Sequence, residues 1–328
     1  MKTTVKKAVV LVLCFTMALS MCACGKKSSS AKNKVGIIML VENGAFLDMK
    51  NGILTELAAK GYTEENTIFD YQCAQGDTTN LKTICSSMDD GSYNLVFTIA
   101  TPATQSFVNL ESSTPVFFCA VSSPVAAGVI TEMNKPDKNA TGTSNAIPVS
   151  EIFTLSNKLT PTCKTFGLIY CTSETNSVNT ISGAKNYMDS NGLSYVEAAV
   201  TNSSEVKTAV ESLVGKVDAI FLPNDSVVQS AITSVVEVSR ENKIPVYCSS
   251  ATTVKSGCFA TYAIDDAGIG SKTADMAVQY LQGTKVSDIP SIVVSADYIS
   301  INSTTVKALG VTVPNNLGVD VNYLDDTK

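Results

Sequence analysis

The chain has 328 residues, with 24 Lys and Arg against 30 Asp and Glu and a formal net charge of −6. It contains no His and no Trp, and its one Arg is Arg240. The lack of His excludes Ser-His-Asp and Cys-His catalytic sites and the usual His-containing zinc sites. An acidic chain also argues against nucleic acid as a partner.

The start of the chain has the pattern of an export signal. A basic segment precedes an apolar run over 8–19, which is too short for a membrane span of about 20 residues. Small Ala23 then precedes Cys24, and this ending resembles the lipobox of bacterial lipoproteins, in which the Cys receives a diacylglyceryl group. We predict a signal peptide over 1–23 and lipidation of Cys24, which places the protein on the extracytoplasmic face of the cell membrane. Cys22 fits less well because a bulky Met precedes it, and an ordinary secretory signal is the alternative.

A polar, lysine-rich segment over 24–34 follows the signal. Its composition cannot bury enough apolar surface to fold. We therefore predict a flexible tether between the membrane anchor and the body of the protein.

Seven cysteines remain after Cys24, and no two of them form a Cys-x-x-Cys pair. Most of them lie in or beside apolar runs. We interpret them as small buried residues in an exported protein that does not depend on disulfides, with one incidental bridge as the alternative.

Short β-rich runs alternate with helix-like stretches along the body of the chain, which predicts an α/β fold with parallel sheets. In the first half the predicted elements are strand 35–41, helix 45–61, strand 67–73, helix 78–90, strand 95–100, helix 103–111 and strand 115–121. In the second half they are helix 149–159, strand 165–171, helix 178–191, strand 194–199, helix 205–215, strand 219–222, helix 227–241, strand 245–248, strand 259–264, helix 267–282 and strand 289–294. The shared βαβα rhythm predicts two doubly wound parallel-sheet lobes that face each other across a ligand cleft.

Polar or turn-forming segments follow the predicted strands, at the edge where open parallel sheets bind ligands. Each alone is a weak signal, because the same residue types cap helices. Together they all fall at the edge of the predicted sheets where a ligand would bind. They lie at 42–46, 74–77, 101–103, 122–124, 172–177 and 223–226.

The same segments carry a family resemblance. They include Ala74-Gln75-Gly76-Asp77, Thr101-Pro102-Ala103, Ser122-Ser123-Pro124, Glu174-Thr175-Asn176-Ser177 and Pro223-Asn224-Asp225, in this order. With them the chain resembles, over about 35–314, the ABC-transporter substrate-binding lipoproteins whose members include tryptophan- and tyrosine-binding proteins.

The resemblance implies a type I periplasmic-binding-protein fold whose lobes are joined by three crossings near Gly142, Ile264 and Ala296. Lobe 1 would then hold 35–142 plus 265–296, and lobe 2 would hold 143–264 plus 297–328. The resemblance also implies ABC permease subunits as partners, a small ligand that is often an aromatic amino acid, and neither a cofactor nor a catalytic activity.

Three departures from the family pattern stand out. The family often has His-Pro-Ala-Leu-Asp after the first strand, where this chain has Asn43-Gly44-Ala45-Phe46-Leu47. Ser123-Pro124 replaces an Asp-Pro, and Asp266 replaces a Tyr near the second crossing. The first and third of these changes bear on the ligand.

Thr101-Pro102-Ala103 opens a helix, and helix-start N–H groups bind anions. We predict a ligand carboxylate there, with Ser122 beside it; a Thr N-cap followed by Pro is the alternative. Asp225 would bind a ligand ammonium from the other lobe, or cap the helix that follows it. The full predicted ligand-binding set is Asn43, Phe46, Gln75, Thr101, Pro102, Ala103, Ser122, Ser123, Glu174, Asn176, Ser177, Asp225 and Asp265.

The predicted function is an extracytoplasmic receptor that delivers a small zwitterion, such as an apolar or aromatic amino acid, to an ABC permease. A ligand-sensing lipoprotein for a signalling partner and a receptor for a sugar or nucleoside are the alternatives. A surface hydrolase is disfavoured, because the chain has no His, nucleophile elbow or metal motif.

Overall fold

The computed structural model describes residues 32–326. The predicted signal peptide, Cys24 and most of the predicted tether lie outside these residues. Within the described range no helix is both long and apolar enough to cross a membrane.

The strands and helices alternate along the described chain. The strands are β1 (Asn33–Met39), β2 (Thr67–Cys73), β3 (Leu95–Ile99), β4 (Val116–Cys119), β5 (Ala140–Ser144), β6 (Thr165–Cys171), β7 (Ser194–Val200), β8 (Ala219–Phe221), β9 (Val246–Tyr247), β10 (Ala260–Ala263), β11 (Ile292–Val293), β12 (Tyr298–Asn302) and β13 (Val321–Leu324). The α-helices are α1 (Gly44–Ala59), α2 (Thr78–Met88), α3 (Thr101–Val108), α4 (Val149–Leu159), α5 (Thr175–Asn191), α6 (Val206–Leu213), α7 (Ser226–Ser230), α8 (Ile232–Glu241), α9 (Ala251–Lys255), α10 (Asp266–Leu281) and α11 (Ser303–Leu309). Short 3-10 turns occupy Ser203–Glu205 and Val286–Asp288.

The strands form two sheets, which confirms the predicted α/β class with two doubly wound sheets. The first has the order β11-β5-β4-β3-β1-β2, and its neighbours are all parallel. The second has the order β13-β12-β10-β9-β8-β6-β7 and is parallel except for the antiparallel pair β10 and β12. We call each sheet with its packed helices lobe 1 and lobe 2, respectively.

The chain passes between the sheets three times, at 145–148, at 264–265 and at 294–297. Gly142 lies inside β5 rather than in the crossing that follows it. A β-carbon there would lie 1.9 Å from the Phe118 carbonyl oxygen, so only Gly fits at position 142.

Helix α10 returns to lobe 1 and packs directly on α1. A β-carbon on Gly52 would lie 2.0 Å from the Ala267 carbonyl oxygen, and one on Gly270 would lie 2.1 Å from that of Met49. Gly52 and Gly270 therefore form a close helix crossing, and this crossing anchors the start of α10 beside the cleft.

Several element boundaries differ from the prediction. Strand β1 begins at Asn33, inside the predicted tether, because Asn33 and Lys34 pair with Thr67 and Ile68. The predicted helix 227–241 is two helices, which meet at Ala231, where the backbone leaves the helical range (φ −110°, ψ 19°). Strand β5, helix α9 and all elements after β11 were not predicted.

Both lobes have closely packed apolar interiors. Phe97 and Phe117 are fully buried in lobe 1, and Phe153 stacks on Tyr187 in lobe 2 with ring centroids 5.3 Å apart. The seven cysteines in the described range are unpaired, and five of them are buried. The two lobes present the carboxyl ends of their parallel strands to the space between them.

Candidate functional site

A narrow cleft lies between the strand ends of the two lobes. Its apolar wall comes from lobe 1 and consists of Ala45, Phe46, Met49, Ala100 and Ala120. The polar groups on the lobe 1 side are Thr101, Ser122, Asn145 and Asp266. Those on the lobe 2 side are Asn176, Asn224, Ser226, Gln229 and Ser250. Among the residues that the structure describes, the cleft lining is mixed in polarity and includes one charged side chain.

Four of the predicted ligand-binding residues line this cleft: Phe46, Thr101, Ser122 and Asn176. They come from α1, from the start of α3, from the turn after β4 and from the start of α5. The structure therefore brings together residues that are far apart in sequence, at the edge where the strand-end rule predicts a ligand.

The start of α3 points an unpaired hydroxyl into the cleft. Thr101 is 2% exposed, and its Oγ1 has no hydrogen-bond partner among the described residues. The amides of Thr101 and Ala103 also have no partner within the helix, because the first turn of a helix leaves its N–H groups free, and Pro102 carries no amide hydrogen. A hydroxyl and free amides at the positive end of a helix form an anion site. The side chain of Ala103 is itself buried, behind the start of α3.

The backbone of lobe 1 is strained where it meets the cleft. Gln75, Ala100 and Ala120 each directly follow or lie close after a strand, and their φ angles are 55°, 69° and 61°. Side-chain-bearing residues seldom adopt this left-handed region. Ala100 and Ala120 line the cleft, so the strain lies at the candidate site.

The lobe 2 wall contains a second unpaired polar atom. Asn176 Nδ2 donates to the Asn224 carbonyl at 2.5 Å, and Ser177 Oγ donates to the same oxygen at 3.4 Å. Asn176 Oδ1 is left without a partner among the described residues, although Asn176 is only 4% exposed. This amide oxygen is an acceptor that a ligand N–H group can satisfy, whereas Ser177 supports the wall from behind.

Glu174 and Asp225 are buried carboxyls that bind backbone amides rather than line the cleft. Asp225 accepts from the Cys171 amide at 2.6 Å and from the Val228 amide at 2.9 Å. Glu174 accepts from the Ser226 amide and the Val227 amide, each at 3.1 Å. Both side chains thus hold the start of α7, as the capping alternative for Asp225 expects.

Burial raises the pKa of the Glu174 carboxyl, and the neighbouring Asp225 charge raises it further. Burial also raises the pKa of Asp225, although the Cys171 and Val228 amides oppose that shift. Each buried carboxylate is therefore stabilised chiefly by the backbone amides that it accepts from.

The remaining predicted residues lie around the cleft rather than on its wall. Asn43 caps α1 by accepting from the Phe46 amide, and its Nδ2 donates to Gln229 Oε1 at 3.3 Å across the lobes. Gln75 is exposed, and Ser123 lines a neighbouring cavity. Asp265 is exposed and caps α10 by accepting from the Ala267 amide.

Sequence reasoning missed several residues that line the cleft. Ser250 follows β9 and Asn145 follows β5, so the strand-end rule applies to both, but β5 was not predicted and the segment after β9 was not considered. Asn224 is the direct neighbour of Asp225, which was chosen. Asp266 was noted as a departure from the family pattern that bears on the ligand, but its neighbour Asp265 was chosen for the predicted ligand-binding set. Gln229 lies within α7 and carries no signal that distinguishes it from a surface residue.

The site contains no preformed metal centre. Across residues 32–326, no group of three or more Cys, Asp or Glu side chains is arranged to hold a metal ion. Its chemistry consists of hydrogen-bond donors at α3, acceptors at Asn176 and Asp266, and an apolar wall between them, which suits reversible binding of a small polar molecule.

Known proteins are similar to this chain in architecture and in sequence. The tyrosine-binding protein of Clostridioides difficile (strain R20291) is 36% identical over 286 residues, which cover 87% of this chain and 83% of that protein. A structure of an ABC domain in complex with L-Trp from Streptococcus pneumoniae is 31% identical, with a TM-score of 0.85 over 89% of this chain and 99% of that one.

A third relative is a substrate-binding protein with adhesive properties from Clostridium difficile, solved in a ligand-free, open form. It is 36% identical over 89% of this chain and 99% of that chain, but its TM-score is 0.67. The lobes of this chain are thus arranged more like those of the L-Trp complex than those of the open form. The contact between Asn43 and Gln229 across the lobes agrees with a closed arrangement.

The family model described as ABC transporter substrate binding protein matches residues 34–322. The fold, with two parallel sheets joined by three crossings, is the type I periplasmic-binding fold of these relatives. The chain therefore belongs to the family of ABC transporter substrate-binding proteins.

Proposed function

We propose that this protein binds a zwitterionic amino acid with an apolar or aromatic side chain and delivers it to an ABC permease. The observation that carries the proposal is the pair of buried, unpaired polar atoms that line the cleft, Thr101 Oγ1 and Asn176 Oδ1. An unsatisfied buried polar atom is costly, and a ligand with both donors and acceptors satisfies both. The relatives named for tyrosine and solved with L-Trp support the same ligand class.

The carboxylate of the amino acid would bind at the start of α3. There it would accept from Thr101 Oγ1 and from the free amides of the first turn, so that the helix dipole and charge-assisted hydrogen bonds replace an Arg. Ser122 is available beside this point, although its hydroxyl donates to Asn145 Oδ1 at 2.8 Å in the present arrangement.

The side chain of the amino acid would lie against the apolar wall. Phe46 and Met49 are buried on α1 and line the cleft with the methyl groups of Ala100 and Ala120.

A substrate-binding protein of an ABC importer works outside the cytoplasm, where it hands its small-molecule ligand to permease subunits. We propose that the lipid on Cys24 anchors this chain to the membrane and that residues beyond it tether the body. Binding and release complete the role, with no chemical change to the ligand.

A thermal-unfolding panel of amino acids, sugars and nucleosides tests the ligand class. An amino acid at a hundredfold excess over its dissociation constant is expected to stabilise the folded protein by about 2.7 kcal/mol. Calorimetry then ranks aromatic against aliphatic amino acids. Stabilisation by sugars or nucleosides, with none by amino acids, would contradict the proposal.

A further inference from the structure

We propose that the Asp266 carboxylate binds the ammonium group of the ligand and makes the cleft select amino acids over the corresponding deaminated acids. This inference rests on the proposed function, since it assigns a partner to one end of the zwitterion. The sequence suggested Asp225 for this role, but the geometry favours Asp266.

Asp266 is the one charged side chain among the described residues that line the cleft. The other two candidate carboxyls, Glu174 and Asp225, are occupied by the amides that begin α7 and Cys171. An ammonium in the cleft therefore has one carboxylate within its own cavity.

The Asp266 carboxylate is held in place by the opposite lobe. Thr252 Oγ1 donates to Oδ2 at 2.7 Å, and Ser250 Oγ lies 3.5 Å from the same oxygen. Both hydroxyls come from the α9 region of lobe 2, whereas Asp266 begins α10 in lobe 1. Both bonds from described residues reach Oδ2, which leaves Oδ1 for a donor on the ligand.

Asn176 supplies an independent indication that a donor binds here. Its Oδ1 is a buried acceptor with no partner in the described part of the chain, and it lines the same cleft as Asp266. An ammonium has three N–H donors. It can therefore bind the carboxylate and still offer N–H donors to other acceptors that line the cleft.

The charges around Asp266 favour a cation as its partner. Asp48 from α1 and the adjacent Asp265 are both acidic, while Lys255 and Tyr298 line a neighbouring cavity that Asp266 also reaches. Burial raises the pKa of Asp266 to about 6, and Asp48 and Asp265 add to the shift against the hydrogen bond from Thr252. The positive charge of a bound ammonium would favour the ionised form of Asp266 and so oppose this rise in pKa.

The test pairs two ligands that differ only in the ammonium with two variants that differ in one carboxyl. L-Tyrosine and 3-(4-hydroxyphenyl)propionate, and L-tryptophan and 3-(indol-3-yl)propionate, are titrated by calorimetry into the wild type, Asp266→Asn and Asp265→Asn. The wild type and Asp265→Asn are expected to prefer the amino acid by about 100-fold or more, because the analogue leaves the Asp266 carboxylate in the cleft without its charged partner. In Asp266→Asn the preference is expected to fall to a few-fold, mainly through weaker binding of the amino acid.

An undiminished preference of Asp266→Asn for the amino acid over its deaminated analogue would overturn the proposal. If no amino acid binds the wild type, the proposed function fails, and this inference fails with it. If Asp266→Asn unfolds or binds nothing, the wild type is titrated between pH 7 and pH 5. The preference for the amino acid should then fall with pH as Asp266 is protonated, and a constant preference would overturn the proposal.

Discussion

Gly44 and Thr252 meet across the two lobes. A β-carbon on Gly44, the first residue of α1, would lie 2.6 Å from Thr252 Cγ2 on α9. Thr252 uses its other branch, Oγ1, to donate to Asp266. The closed arrangement therefore requires a residue without a side chain at position 44.

Gly44→Ala is expected to hold the lobes apart without weakening either one. Ala is favoured over Gly in a helix by up to about 1 kcal/mol, so ligand-free stability should not fall. Ligand affinity should fall by roughly tenfold or more, which corresponds to about 1.4 kcal/mol. Calorimetry measures the affinity, and small-angle scattering with ligand measures how far the lobes close.

Thr252→Ser provides the matched rescue, because it removes Cγ2 and keeps the hydroxyl that contacts Asp266. The double variant should bind the ligand nearly as well as Thr252→Ser alone. Full affinity in Gly44→Ala by itself would show that the contact does not limit closure.

Thr101→Val should lose ligand affinity and keep its stability. The substitution removes a hydroxyl that has no hydrogen-bond partner among residues 32–326, so the free energy of unfolding should be unchanged or slightly higher. A hydrogen bond to a charged carboxylate contributes about 1.5–3 kcal/mol, and affinity should fall accordingly. Thr104→Val is the control, since its hydroxyl donates to the Ala100 carbonyl at 2.8 Å; it should cost about 1 kcal/mol of stability with little change in binding. Equal effects of both variants on affinity would argue against a carboxylate at Thr101.

Asp225→Ala should weaken the fold more than it weakens binding. It leaves the buried amides of Cys171 and Val228 without their acceptor, and we expect a loss of about 2 kcal/mol or more in unfolding free energy. Asp77→Ala is a comparison, because Asp77 caps α2 on the exposed surface and should cost about 1 kcal/mol. A loss of about 2–5 kcal/mol in ligand affinity with stability retained would instead assign the ammonium to Asp225.

Ligand-free stability should depend on pH through Asp266. Its pKa is raised from 3.8 to about 6, so the folded protein holds this proton more tightly than the unfolded chain. The resulting stability is present in full below the unfolded value and is lost as pH rises through about 6. Urea unfolding between pH 4 and pH 7 should show this decline, and Asp266→Asn should flatten it. The slope that remains would come from Glu174 and Asp225, whose pKa values are also raised; an identical slope in both proteins would exclude Asp266 as a contributor.

Cys24→Ala should release the protein from the membrane. If Cys24 carries the diacylglyceryl group as we propose, its loss removes that group, so fatty-acid labelling should disappear and the protein should move to the soluble fraction. Cys22→Ala is the matched control and should label normally. Continued labelling of Cys24→Ala would move the assignment to Cys22.

The sheet architecture was predictable because parallel strands between helices leave a strong periodic pattern. Short elements were harder. Strand β5 consists of Ala140–Ser144, whose small and polar residues do not form an apolar run, and its burial comes from neighbouring strands and from helix α10. The break at Ala231 within the predicted helix 227–241 is likewise set by packing in the folded protein. No Gly or Pro marks it in the sequence.

Within the site, the strand-end rule located segments better than it located side chains. The predicted ligand-binding set contained Asp225 and Asp265, and both carboxylates are used for capping, whereas their neighbours Asn224 and Asp266 line the cleft. Both members of each pair lie at a strand end, and only the path of the backbone decides which one faces the ligand. Thr101 and Asn176 were identified because each opens a helix directly after a strand.

The left-handed conformations of Ala100 and Ala120 have a consequence for the order of events during binding. Such turns persist only where the surrounding structure enforces them, so the receiving surface on lobe 1 should be the same before and after closure. We expect lobe 1 to capture the ligand first and lobe 2 to complete its enclosure. Gly44→Ala, which closes poorly, should then retain a weak affinity that Thr101→Val abolishes and Asn176→Ala leaves unchanged; dependence on Asn176 instead would reverse the sequence of capture.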